Sequence, residues 1–265
     1  QAAFFGIGAY TTAIINTRTG MQFFVCLIVS MIVTGIVGLI LAVPALKVKG
    51  SYLALLTMGF GEIVRIVMIN WTPVTNGTSG IREIEAPIIF GFAFDSLKQV
   101  YFLIVIFMLL GLFYENILIK TRTGRAFVAV REDNEAAELT GINVTTYKIR
   151  AFVLSAVYCG VAGCLYAMMI KYVSPDTFVN NTSNVILWTA IVGGFGTVVG
   201  PVFGGVVMQV LPEALRFLGD WRLVVYGVIL LIVILRFPGG LYPYIEKFLA
   251  QQKEKRAVRK MAEKG

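Results

Sequence analysis

The sequence of 265 residues is 57% hydrophobic and only 14% charged, with a mean hydropathy of +0.80; a soluble domain carries about 25% charged residues, so the composition favours a membrane protein. The chain contains no histidine and no GxxxxGKS/T motif, which excludes histidine-based metal sites, Ser-His-Asp triads and a phosphate-binding loop of that type. The net charge of +8 suits nucleic acid or anionic lipid, and because basic residues stand beside apolar runs, lipid is favoured over nucleic acid.

Eight apolar segments follow one another and predict an all-α fold, a polytopic bundle of about eight transmembrane helices. They occupy residues 2–15, 22–46, 51–70, 97–119, 149–170, 185–199, 201–217 and 221–235. Crossing the roughly 30 Å of bilayer hydrocarbon takes about 20 residues, so the first and sixth segments are short enough to be tilted, broken or re-entrant. Gln1 already opens the first run, and we expect a further segment upstream of it.

The basic residues predict how this bundle is oriented. Lys47 and Lys49, the loop 120–150 and the tail beyond Arg236 carry most of the short-loop positive charge, and they alternate as cytoplasmic connections. The loops around Arg18 and over 72–96 and 171–184 are then external. We expect one transmembrane domain over residues 1–245 and a basic cytoplasmic tail over residues 246–265.

The cytoplasmic loop 120–150 predicts two short helices. The first spans 124–131, and Asp133 is placed to cap the second, which Gly141 can end. Small residues mixed with charges of both signs suit an element that docks into a cleft of another protein. The alternative is a solvated connector that only obeys the charge rule.

Polar and glycine positions inside the apolar segments are candidates for a transport path. Glu62 and Arg65 stand three residues apart on one helix face, where they are either functional charges inside a span or a structural ion pair. The glycines of 193–205 indicate either a helix break that lines the path or close helix packing. The candidate path residues are Thr57, Gly59, Glu62, Arg65, Gly193 and Gly194.

Five runs of sequence resemble the permeases of branched-chain amino acid ABC transporters, the LivH and LivM type, and LivM more closely. The runs are AAFFGIGAY, LKVKGSYLALLTMGFGEIVR, TGRAFVAVREDNEAAELTGINVTTYKIRAFVLSA, VGGFGTVVGPVFGG and FPGGL, which occur in that order over nearly the whole chain. Family members often read GGPNGI where TNGTSGI stands at 75–81. The resemblance implies that the cytoplasmic loop holds a coupling helix that docks on an ATPase subunit. The docking residues would be Gly124, Arg125, Ala126, Ala129, Val130, Arg131, Glu132, Asn134, Ala137 and Gly141.

The same resemblance implies the function and the partners. The chain would be a permease without an ATPase site or cofactor of its own, located in the bacterial inner membrane. It would work with a LivH-like permease, two ATP-binding ATPase subunits and an external binding protein, and would import leucine, isoleucine and valine. Urea, amides or other amino acids are alternative substrates within the family. An ion-coupled secondary transporter, with Glu62 as the coupling carboxylate, and a non-transporting scaffold are the alternatives outside it.

The predicted orientation is testable with an Asn134→Cys variant in which Cys26, Cys159 and Cys164 are replaced. We expect an impermeant thiol reagent to label this variant in inverted vesicles and not in intact cells, because the loop 120–150 is cytoplasmic. Labelling from outside intact cells would contradict the orientation.

Overall fold

The computed structural model describes residues 1–48, 50–89, 91–237 and 239–246. These residues are predominantly α-helical, as the sequence predicts. The helices are α1 (Ala2–Thr19), α2 (Phe23–Ala45), α3 (Ser51–Asn70), α4 (Thr72–Thr75), α5 (Leu97–Lys120), α6 (Arg122–Glu132), α7 (Asn134–Leu139), α8 (Val144–Ile170), α9 (Asn180–Gly193), α10 (Gly200–Ala214) and α11 (Arg222–Arg236). The chain divides into two compact units, residues 1–183 and 184–265. The single domain over 1–245 stays a prediction, and the predicted tail lies outside the described residues beyond Glu246.

Each of the eight predicted segments overlaps one of these α-helices, but the count of eight spans is not confirmed. Among the described helices, α2, α3, α5 and α8 are long and apolar enough to cross a membrane. Helices α9, α10 and α11 have 14, 15 and 15 residues. At 1.5 Å per residue they are about 21–23 Å long, which is shorter than the hydrocarbon layer.

The core of the first unit is the packing of α1, α2 and α8, which approach through small residues. Gly8 of α1 lies on the backbone of Gly160 in α8, since a Cβ added to Gly8 would stand 2.7 Å from the Gly160 Cα. Likewise, a Cβ on Gly163 would stand 2.7 Å from the backbone nitrogen of Ala9, and one on Gly38 of α2 would meet Ala156. Close backbone contact through small residues is how helices associate where lipid surrounds them.

Ser30 of α2 contacts both α1 and α8 at one level of the bundle through its hydroxyl group. Its hydroxyl group lies 3.2 Å from the carbonyl oxygen of Gly8 and 3.0 Å from that of Gly160, and Ser30 is fully buried. Because Ser30 lies inside α2 and Gly160 inside α8, the middle of α1 is level with the interior of two candidate membrane spans.

Two short antiparallel β-pairs lie at the end of the unit where α1, α3 and α8 finish. Strand β1 (Ile81–Arg82) pairs with β4 (Tyr172–Val173), and β2 (Ile88–Ile89) pairs with β3 (Phe92–Ala93). The backbone N–H of Glu85 donates to the buried Asn16 side chain at 2.7 Å. These contacts hold the two predicted external loops together against the end of α1.

Residues 174–183, which we call the descending segment, leave β4 and run back along α1. Phe178 is buried against α1, with its ring centroid 6.1 Å from that of Tyr10 and 5.4 Å from that of Phe5. Further on, the backbone N–H of Ala2 donates to Ser183 Oγ at 2.9 Å. From Tyr10 to Ala2 this path follows α1 for about 12 Å.

The second unit contains most of α9, followed by α10 and α11, and glycines shape it. Helices α9 and α10 meet at a glycine contact, in which Gly204 packs against Gly193 and the backbone of Thr189. The turn between them has positive φ angles at Gly194 (125°) and Gly196 (83°), a region that only glycine enters easily. Gly240, beyond α11, packs on Gly194.

The packing of α8 predicts a different response of two helical glycines to the same substitution. In Gly160→Ala the new Cβ would strike the Thr34 side chain, whose Cγ2 lies 2.8 Å from its position; we expect a loss of about 1–3 kcal/mol from overpacking. In the control, Gly227→Ala, the Cβ meets nothing within 4 Å, and alanine favours the helix by about 1 kcal/mol. Thermal unfolding of the purified protein in detergent measures both variants. Equal melting temperatures would contradict the close packing of α8.

Candidate functional site

The loop between α5 and α8 folds as two capped helices. Thr121 Oγ1 accepts a hydrogen bond from the backbone N–H of Gly124 at 3.2 Å, which caps α6. Asp133 Oδ1 accepts from the backbone N–H groups of Glu135 and Ala136 at 2.8 and 3.2 Å, which caps α7 as the sequence predicts. Gly141, with a φ of 84°, follows the end of α7 in the position where glycine commonly ends a helix.

The loop is packed onto the ends of its neighbouring helices by its small residues. Gly124 lies directly on the backbone of α5, where a Cβ would meet Ile119. Ala126 and Ala137 are buried, and Ala137 is only 3% exposed. The ring of Phe127 stands edge-on to that of Tyr147 in α8, with centroids 5.5 Å apart. The loop is therefore a folded element rather than a slack connector.

This packing separates the ten predicted docking residues into two groups. Gly124, Ala126 and Ala137 point into the chain's own fold, so their small size serves internal packing. The residues that the loop exposes outward are Arg125, Arg131, Glu132, Asn134 and Gly141, with Ala129 and Val130 half-buried. Their docking role stays a prediction.

One exposed residue of the loop was missed by the sequence reasoning. Leu139, the last residue of α7, is 89% exposed. The sequence feature that could have identified it is a single leucine in α7 (NEAAEL), whose other residues are small or polar. A large apolar side chain held out in solvent at the end of a capped helix is typical of an anchor for another protein.

The second candidate site lies on α3. Arg65 Nε donates to Glu62 Oε1 and Oε2 at 3.0 and 3.2 Å, and its Nη2 donates to Oε1 at 2.6 Å. The third member is Asp176 of the descending segment, whose Oδ1 lies 4.0 Å from Arg65 Nη1. Sequence reasoning found the α3 pair and missed Asp176, which is remote in the chain and stands in no motif.

The other candidate path residues lie apart from Glu62, Arg65 and Asp176, or already contact other groups of the chain. Thr57 lies about two helical turns before Arg65 in α3, and its hydroxyl group donates to the carbonyl oxygen of Ala54 at 2.9 Å. Gly59 faces open space, with nothing within 4 Å of a built Cβ. Gly193 and Gly194 are buried at the α9–α10 turn in the second unit, where their packing against Gly200 and Gly240 favours the close-packing interpretation.

Comparison with known proteins gives one family and several relatives. Residues 1–234 match the family described as branched-chain amino acid transport system / permease component. The chain is 33% identical over 263 residues to the high-affinity branched-chain amino acid transport system permease protein LivM of Salmonella typhimurium, and 32% identical over the same length to that of Escherichia coli. It is 33% identical over 139 residues to the fructose import permease protein FrcC of Rhizobium meliloti.

The alignments differ in how much of each protein they cover. Both LivM alignments cover 91% of this chain and 62% of the relative, whereas the FrcC alignment covers 49% and 39%. The chain thus spans less than two thirds of the length of the LivM proteins. No solved structure matches the chain.

The cap of α7 predicts a local effect on the loop. Asp133→Ala removes the acceptor of two backbone N–H groups, which costs about 1 kcal/mol of helix stability. We expect faster hydrogen exchange over residues 134–139 and unchanged exchange in α5 and α8. Glu138→Ala, on an exposed residue of the same helix, is the control and should leave the cap intact. Equal exchange of α7 in the two variants would show that the cap does not hold this helix.

Proposed function

Because the chain belongs to the family of branched-chain amino acid transport system permease components, we propose that it is a permease subunit of an ATP-binding-cassette importer for leucine, isoleucine and valine. The proposal includes a LivH-like second permease, two ATPase subunits that bind ATP, and an external binding protein that delivers the amino acid. The chain crosses the bacterial inner membrane several times and has its C-terminus in the cytoplasm. Sequence similarity to two LivM proteins supports it, and so do the four helices among the described residues that are long and apolar enough to span a bilayer.

The observation that best supports this proposal is the folded loop 120–150, which exposes Leu139. A permease without a nucleotide site senses ATP only through contact with a subunit that has one. The loop offers that contact, with an apolar anchor at Leu139 and charged groups such as Arg125 beside it. ATP binding on the partners then drives alternating access, because movement of the loop is passed to α5 and α8 through the packing of Gly124 and Phe127.

The position of the charged cluster supports a path for substrate along α3. Glu62 and Arg65 lie inside a helix that is long and apolar enough to span a membrane, and charged residues inside a span are candidates for the substrate path. We include Thr57 and Gly59 of the same helix in this path. Gly193 and Gly194 are better supported as the packed turn between two short helices.

The alternatives have weaker support. Similarity to a fructose import permease keeps other small solutes, such as urea, amides or other amino acids, open as substrates of this family. An ion-coupled transporter needs a carboxylate that is free to take up a cation. Glu62 is engaged by the three hydrogen bonds from Arg65, which weighs against that role for it.

The docking role of the loop is tested with Leu139→Asp. Removing the apolar anchor and desolvating a carboxylate at a packed interface costs about 2 kcal/mol or more. We therefore expect the ATPase subunits to be lost from the complex during affinity purification of the tagged chain. The control is Phe92→Asp, on an apolar residue that is 76% exposed and lies beyond the opposite end of α5. It should keep the ATPase subunits.

Two further measurements show whether the result of this test comes from docking. The melting temperature of the Leu139→Asp protein should equal that of the wild type, because Leu139 makes little contact within the chain. Full recovery of the ATPase subunits together with normal leucine uptake would contradict docking through this loop.

A further inference from the structure

The descending segment places irregular backbone at membrane depth. Gly8 is level with the interiors of α2 and α8 through Ser30, and Phe178 packs against Gly6 and Tyr10 on either side of that level. Residues 175–178 form a short 3-10 turn rather than part of a membrane helix. Backbone of this kind is tolerated at that depth only where protein buries it or where it lines a water-filled cavity.

Asp176 shows which of the two cases applies. Pro175 and Phe178 are buried, whereas the Asp176 side chain is 82% exposed. Its carboxylate accepts no hydrogen bond within the described part of the chain. A carboxylate so exposed at membrane depth does not face lipid, because a charge in contact with the hydrocarbon costs several kcal/mol. Asp176 therefore faces water or a transported molecule.

Arg65 presents a complementary group beside it. Its Nε and Nη2 are held by Glu62, which fixes the guanidinium plane. Among the described residues no hydrogen bond uses Nη1, and the Asp176 carboxylate stands 4.0 Å from it, beyond hydrogen-bond distance. The outer edge of the guanidinium is thus free to bind a carboxylate with two parallel hydrogen bonds.

We propose that Arg65 and Asp176 form the binding site for the charged head group of an α-amino acid on its way through the permease. Arg65 binds the carboxylate, Asp176 binds the ammonium group, and Glu62 positions Arg65. The two charges of an amino acid are attached to the same carbon, so their partners must be neighbours of opposite charge, as these are. This inference rests on the proposed function. It assigns the contact with the ammonium group of the amino acid to Asp176, a residue that lies outside the sequence motifs.

The surroundings suit an apolar side chain. Met58 and Ile66 lie one helical turn on either side of Glu62, and both are about half exposed. An aliphatic side chain attached to the bound head group therefore finds apolar surface along α3. A lone metal cation would use Asp176 but would be repelled by Arg65, which favours a ligand with both charges.

The test uses the complete importer, with its ATPase subunits and binding protein, in liposomes, and measures leucine uptake. Asp176→Asn should lower the uptake rate about tenfold or more, the value of one hydrogen-bonded charge. Asp176→Glu should keep most of it, because the charge is kept. The matched control is Asp95→Asn, on an acid that is 75% exposed and 3.9 Å from Lys171 Nζ. It should transport like the wild type.

Each outcome decides the matter. Loss of uptake in Asp176→Asn, retained uptake in Asp176→Glu and an unchanged melting temperature in both support the site. Uptake by Asp176→Asn at the wild-type rate overturns it, and so does a parallel loss of uptake and of thermal stability, which would assign Asp176 a structural role. A wild-type complex that imports no amino acid overturns the proposed function, and the inference with it.

Discussion

The contact of α1, α2 and α8 is the constraint on which the rest of the first unit depends. Glycines at positions 8, 160 and 163 bring the helix backbones together, and the Ser30 hydroxyl group joins two backbone carbonyl oxygens at their meeting point. In a bilayer these close backbone contacts drive the association of helices, as burial of apolar surface does in water. They fix the height of α1, and through it the depth of the descending segment and the position of its charged residue.

Much of this architecture follows from the sequence, because apolar runs, caps and turn residues are local signals. The run 97–119 predicted α5 to within one residue, and Asp133 was identified as the cap of α7. The number of spans did not follow, because an apolar run does not record where a helix stops. The predicted segment 185–199, for instance, continues six residues beyond Gly193, where α9 ends.

The candidate sites show a second kind of limit. The small size of Ala137 indicated close packing correctly, but size alone does not tell which neighbour a residue packs against, and the neighbour is the chain itself. Asp176 comes near Arg65 only because the descending segment runs along α1. That path is set by contacts of Phe178 with residues more than 150 positions earlier, which no local pattern reveals.

Helix α8 connects the loop 120–150 with the surroundings of the descending segment. It is one continuous helix of 27 residues that starts at the end of the loop 120–150 and carries Tyr166 near its other end, with its ring centroid 6.3 Å from that of Phe178. Val144 and Tyr166 are about 33 Å apart along the axis. Tilting such a rod about its loop end by one degree displaces Tyr166 by about 0.6 Å. A small change in the angle of α8 at its loop end would therefore correspond to a larger displacement of its other end, beside the descending segment.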